Sequence, residues 1–194
     1  MSNWGATDAD ESKPKYLTTA QQKEVFASAR GWEVEAGSKQ TGNGRTTADS
    51  EVLVAMSSLA TKIGAADITG IEWITTAADK SAGFTLSAQV RFNESVDVTG
   101  TPQVSVTNGN EGTGTGRGPH LLSYASGTGS NKLTFSLVVA AADAATNADD
   151  VLSIGANALG LNSGTIKDKG KAQVSTITSV AGIGTAAGTL TVVA

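Results

Sequence analysis

Residues 84–107 read FTLSAQVRFNESVDVTGTPQVSVT, and their alternation decides the fold class. Phe84, Leu86, Ala88, Val90 and Phe92 fall on one side of an extended chain, and Thr85, Ser87, Gln89 and Arg91 on the other. That is the pattern of a strand buried on one face only. Asn93, Glu94 and Ser95 read as a turn, followed by a short edge at 96–98. Gly100 and Pro102 punctuate the next corner, and Val104 and Val106 resume the alternation. Asn108 followed by Gly109 is the strongest short-range hairpin signal. Together these features predict one side of an antiparallel β-sandwich.

The pattern extends in both directions. Upstream, Ile68, Ile71, Trp73 and Ile74 mark a first strand, with Trp73 expected in the core. Downstream comes a Gly-rich loop at 109–118, then a strand at 121–125 and a turn at Ser126, Gly127, Thr128 and Gly129. Leu133, Phe135, Leu137 and Val139 alternate cleanly, and further strands are predicted at 151–154, 165–166, 172–177 and 188–194. Strands at this spacing, with turn signals between them, predict a sandwich over 67–194.

Composition narrows the function classes. The chain of 194 residues has no cysteine, which excludes disulfides and thiolate metal sites. Its net charge of -4 argues against a general nucleic-acid binder. It has no apolar run long enough to span a bilayer, and no basic start followed by an apolar core, so neither a membrane span nor a secretion signal is expected. Glycine supplies 23 residues, well above the usual ~7%, and aromatics only 5%. A core of small side chains is held less strongly per residue, so support from a partner surface or from oligomerisation is expected.

Residues 1–66 differ from the rest. The first 35 residues hold ten of the 32 charged residues and two of the three tryptophans, Trp4 and Trp32. Residues 1–17 lack periodicity and contain Pro14, so they read as an extended arm, with Trp4, Tyr16 and Leu17 as apolar anchors. A capping box starting at Thr19 predicts one short helix over 20–29, stopping at Gly31, with Val25, Phe26 and Ala29 on its buried stripe. Residues 37–50 are loop by composition. Residues 51–63 carry both periods. Val52, Met56, Leu59 and Ile63 keep helical spacing, while the β-branched start favours a strand over 51–56.

The order of motifs VRFNESVDVTGTPQVSV, YASGTGSNKLTFSLVV, NADDVLSI and LNSGTIKD resembles a bacterial immunoglobulin-like repeat over about residues 67–178. Such repeats occur in large surface adhesins and in tailed-phage virion proteins. The opening, SNWGATDADESKPKYLTTAQQKEVFA, is similar to the arm of small virion structural proteins in T4-like phages of marine cyanobacteria. The resemblance implies an all-β, Ig-like antiparallel sandwich with an extended N-terminal arm. It also implies a place in the virion, assembled in the host cytoplasm.

Three constellations invite a chemical reading. The loop at 112–118 (GTGTGRG) looks like a phosphate cradle, but it leads into a strand, and no Gly-Lys-Ser/Thr follows. His120, the only histidine, lies near Ser123, yet no nucleophile elbow supports a triad. Asp143, Asn147, Asp149 and Asp150 form an oxygen-rich loop, a weak Ca²⁺ candidate whose spacing is not that of an EF-hand. Asx side chains also cap turns by bonding their own backbone. Glu94 and Asp168, both in the repeat pattern, are expected to cap turns at strand ends.

No catalytic set and no cofactor are therefore expected. Residues 1–66 are expected to dock, through Trp4, Tyr16, Leu17, Val25, Phe26 and Trp32, onto a major capsid protein or other virion subunits, with homo-oligomeric contacts on the particle. The expected role is head decoration. Alternatives are a tail, neck or fibre component, or an adhesin-type carbohydrate-binding module. The outward face is expected to meet glycans or the host envelope, with no nucleic-acid or membrane partner.

Overall fold

The computed structural model describes residues 17–42, 44–109 and 118–194. Within them the chain is all-β and sandwich-like, with two short α-helices.

Thr18 caps the first helix, α1 (Thr19–Gln22), one residue earlier than expected. Its Oγ1 accepts from the Gln21 amide at 3.3 Å, and Gln21 Oε1 accepts from the Thr18 amide at 2.9 Å. This capping box satisfies two otherwise orphaned donors. The helix does not continue to residue 29. The chain turns instead into β1 (Val25–Ala27), which pairs antiparallel with β2 (Gly31–Val34). β-Branched and aromatic residues favour that outcome, because a ten-residue helix is marginal alone. β3 (Glu51–Ala55) completes an antiparallel meander, which decides the ambiguous 51–56 segment as a strand, and a 3-10 turn follows at Leu59–Thr61. Gly31 makes the meander possible. Its φ is +134°, and an added Cβ would lie 2.0 Å from the carbonyl oxygen of Val54.

The larger region contains β4 (Ile68–Trp73), β5 (Ala78–Asp79), β6 (Phe84–Thr99), β7 (Gln103–Asn108), β8 (His120–Ser126) and β9 (Ser130–Val139). It continues with β10 (Val151–Ser153), β11 (Leu159–Gly160), β12 (Thr165–Asp168), α2 (Ala181–Thr185) and β13 (Leu190–Val193). The main path of neighbours runs β3-β2-β1-β6-β9-β8-β7-β10-β13-β5. β6 is its hub. One edge pairs with β9 from Phe84 to Arg91, and the other pairs first with β4 and then with β12. The inward side chains Leu86, Ala88, Val90 and Phe92 meet Leu133, Phe135, Val104, Val106 and Leu122 in one core. Trp73 packs at its edge, and its indole Nε1 donates to the Gly188 carbonyl at 3.2 Å.

Three sequence expectations change here. No turn interrupts β6 at 93–95. Asn93 bridges to the start of β4, donating its amide to Asp67 O at 2.9 Å and accepting from the Asp67 amide on Oδ1 at 2.8 Å. A long-range partner thus replaces the local turn that Asn, Glu and Ser suggested. Asn108 does not head a two-residue hairpin either. It ends β7, buried, with Leu152 of β10 opposite and its Nδ2 donating to Asp150 Oδ2 at 2.7 Å. Residues 172–177 form only isolated bridges, Val174 to Lys167 and Thr176 to Asp67, and α2 follows where no helix was expected.

Candidate functional site

The expected docking residues divide. Trp4 and Tyr16 lie outside the described residues. Leu17 is half-buried against the meander's own core, and Phe26 is half-buried on β1. Val25 and Trp32 are corrected outright: they are 2% and 1% exposed, packed with Ala27, Val34 and Leu59. The physical reason lies in β-pairing. In the register Val25↔Val34 and Ala27↔Trp32, all four side chains share one face, and Leu59 closes over it. Trp32 therefore holds this chain together and is not free to anchor another one.

His120 and Ser123 do not form a catalytic pair. They are three residues apart on β8 and so project to opposite faces. His120 is buried beside Thr146, with Nε2 3.2 Å from its hydroxyl, while Ser123 Oγ accepts from Gln103 Nε2 at 3.3 Å on the other face. Most of the Gly-rich loop, residues 110–117, lies outside the described residues.

The oxygen-rich loop serves its own backbone. Asp143 Oδ1 accepts from the Ala145 amide at 2.9 Å. Asp150 Oδ2 accepts from the Asn147 amide at 2.8 Å and from Asn108 Nδ2 at 2.7 Å. Asp149 adopts a positive φ of 69°. Among the described residues, no group of three or more His, Cys, Asp or Glu is placed to hold a metal ion. Carboxylates this close to amides close turns first.

The chemically unusual residues lie where the meander meets the sandwich. The buried apolar clusters of the two regions share no residue. The ties between them are largely polar. Ala27 of β1 pairs in parallel with Glu94 of β6. Glu35, just past β2, is ion-paired with Arg91 of β6 and with Lys132 of β9, the latter at 2.6 Å, and Oε1 accepts from Asn131 Nδ2 at 3.0 Å. Arg91 reaches Glu72 of β4 as well, at 3.1 Å. Burial alone would lower the Arg91 pKa, but Glu35 and Glu72 together hold it above its ordinary value. Lys171 donates to the Ala60 carbonyl at 2.6 Å, and the Lys23 stem lies across Gly70.

Two buried carboxyls face this joint without full partnership. Glu94 is 2% exposed and Asp168 fully buried; among the described residues, Glu94 Oε1 and Asp168 Oδ2 have no hydrogen-bond partner. Asp168 Oδ1 accepts from the Ala66 amide at 2.9 Å and from Ser175 Oγ at 3.3 Å. Among the described residues, the one cation near Glu94, Lys171, stands 4.0 Å from Oε2. Burial first, then the charge of Asp168, pushes the Glu94 carboxyl up to about 8; Lys171 opposes the rise and Asp67 adds to it. Glu33 in the meander makes the contrast. Burial pushes its carboxyl up too, but Arg30, Ser28 and Ser50 all donate to it, and it settles below its ordinary value.

Glu94 caps no turn, since it lies inside β6, whereas Asp168 ends β12 and its carboxylate accepts from the amide of Ala66, before β4. The sequence offered one signal that was missed. Two acids sit at inward positions of strands, and inward charges need partners. The Glu35 hub left no such signal, because its partners lie 56 and about a hundred residues away along the chain. Comparison with known proteins returned no matching family model, no matching curated protein and no matching solved structure.

Proposed function

We propose that this chain is a non-enzymatic virion structural protein, a head decoration protein whose N-terminal region docks on the capsid while the sandwich stands outward. The observation that carries the reading is the division of labour in the fold. A small meander with its own core sits beside a sandwich, and its outer strand β3 leaves Val52 and Leu53 about two-fifths exposed. An exposed apolar strand at a sheet edge is a ready template for another chain. With Trp32 and Val25 committed inward, the docking surface consists of the edge strand β3 and the leading segment with Trp4 and Tyr16. The partners are a major capsid protein or other virion subunits. The motif order quoted above supports a virion context.

The test is addition of the purified protein to undecorated heads. It should bind in many copies and raise their melting temperature, and removal of residues 1–16 together with Leu53→Lys should abolish binding. Recovery with tails in substoichiometric amounts would move the protein to a tail, neck or fibre.

A second reading, a carbohydrate-binding module of adhesin type, is favoured by the outer face of the sandwich. There Val138 lies opposite Thr85, Leu121 lies opposite Ser105, and both apolar side chains are exposed among hydroxyls. Binding of glycans by the isolated monomer, lost in Val138→Asp, would favour that reading over decoration.

A further inference from the structure

We infer that the joint between the meander and the sandwich is a proton-controlled clasp: it is closed while Glu94 carries its proton and opens, with the sandwich intact, as Glu94 ionises. The geometry comes first. Glu94 is the residue of β6 that pairs with Ala27 of β1, so its backbone belongs to the joint itself. Its carboxyl is buried, and Oε1 lacks a partner among the described residues. From β12 it faces Asp168, also buried and also with an unpartnered oxygen. From the segment after β12 it faces Lys171, and from the start of β4 it faces Asp67. β1, reading Val-Phe-Ala, brings no charged group to the position.

Lys171 couples the site to the meander. Its ammonium donates to the Ala60 carbonyl just past Leu59, and at 4.0 Å from Glu94 it offers only a long ion pair. An ionised Glu94 would therefore be a second buried negative charge beside Asp168, and burying an unpaired charge is costly. Two responses relieve it. Lys171 can leave Ala60 and close on Glu94, or β1 can part from β6 and admit water. Both loosen the same joint. The two apolar clusters share no residue, so no common core holds the joint closed. The inference does not depend on the virion reading, since it concerns the isolated chain.

The sign follows from the raised carboxyl. A group held protonated in the closed form and normally acidic in the open form favours closure at low pH, and that advantage is lost as pH rises. Opening should increase up to about tenfold per pH unit above the ordinary glutamate range and level off above about 8.

The experiment is hydrogen exchange on the full chain between pH 5.5 and 9, corrected for intrinsic rates and read for residues 25–34 against residues 133–139. The expected result is progressive loss of protection in the first segment with the second unchanged. Glu94→Gln should keep the first segment protected across the range, because the amide removes the charge and keeps the shape. Lys171→Met should carry the rise in opening to higher pH and to a greater final extent, since removing the cation that opposes the raised Glu94 carboxyl pushes it up further. Parallel loss of protection in both segments, or a pH response that survives in Glu94→Gln, would overturn the inference. So would protection that stays flat across the range in the unmodified chain. Should Glu94→Gln fail to fold, Asp168→Asn serves: without the second buried charge the Glu94 carboxyl falls back, so opening should level off at lower pH and to a smaller extent, and an unchanged profile would refute the clasp.

Discussion

The meander at 25–61 and the sandwich at 66–194 solve the same problem with different means. Among the described residues the sandwich buries twenty-two apolar residues in one cluster, and the meander five. The sandwich uses small and medium side chains in quantity, with Phe92 and Phe135 as its only fully buried aromatics. The meander relies on one large side chain, Trp32, and on one charged group, Glu33, held by three donors. Both regions need a glycine where two strands approach too closely for a Cβ. Gly31 faces Val54 O, and Gly127 faces Lys132 O, each at 2.0 Å. The difference teaches that a few residues can form a stable patch only if one side chain is large and every buried charge is paired. Removing single contacts should then hurt the meander locally and the sandwich globally.

The largest expected effect separates the two cores. Trp32→Ala and Phe135→Ala should each cost about 3–5 kcal/mol. In calorimetry with hydrogen exchange, Trp32→Ala should expose the amides of 25–34 while the main transition stays near its original temperature. Phe135→Ala should lower the main transition itself. If Trp32→Ala lowers the sandwich transition as far as Phe135→Ala does, the cores form one cooperative unit and the comparison fails.

A middle-sized effect concerns the tie between them. Glu35→Gln leaves Arg91 and Lys132 without their shared carboxylate and should cost about 1–3 kcal/mol, the range for hydrogen bonds to charged groups. The loss should appear in protection of the meander and not in the midpoint of the sandwich. Equal loss in both would show that Glu35 supports the sandwich directly.

The smallest effect tests the oxygen-rich loop. Asp143→Ala removes one acceptor for the Ala145 amide and should cost about 1 kcal/mol. The melting temperature of either form should be the same with millimolar Ca²⁺ as with a chelator. A Ca²⁺-dependent rise lost in Asp143→Ala would favour the metal reading instead.

Much of the sandwich was legible because its signal is local. The alternation of 84–92 and 133–139 needs only neighbouring residues to be read, and the structure forms both as strands. The missed features share the opposite property. Asn93 and Asn108 look like turn residues to any local reading, yet their side chains are spent on Asp67 and Asp150, 26 and 42 residues away. Val25 and Phe26 fit a helical stripe as well as a strand, and only Val34 and Trp32 across the register decide between them.

By itself the sequence determined the period of the strands, the small-residue character of the core, the absence of thiol chemistry and the distinct nature of the first third of the chain. Each of these follows from composition or from spacing within about ten residues. Tertiary structure alone decided that Trp32 faces inward, that β6 runs unbroken through Asn93 and Glu94, and that Glu94 meets Asp168 beside Lys171. Those outcomes depend on which distant groups arrive to satisfy a backbone amide or a buried charge, and chain closure, not local preference, brings them there.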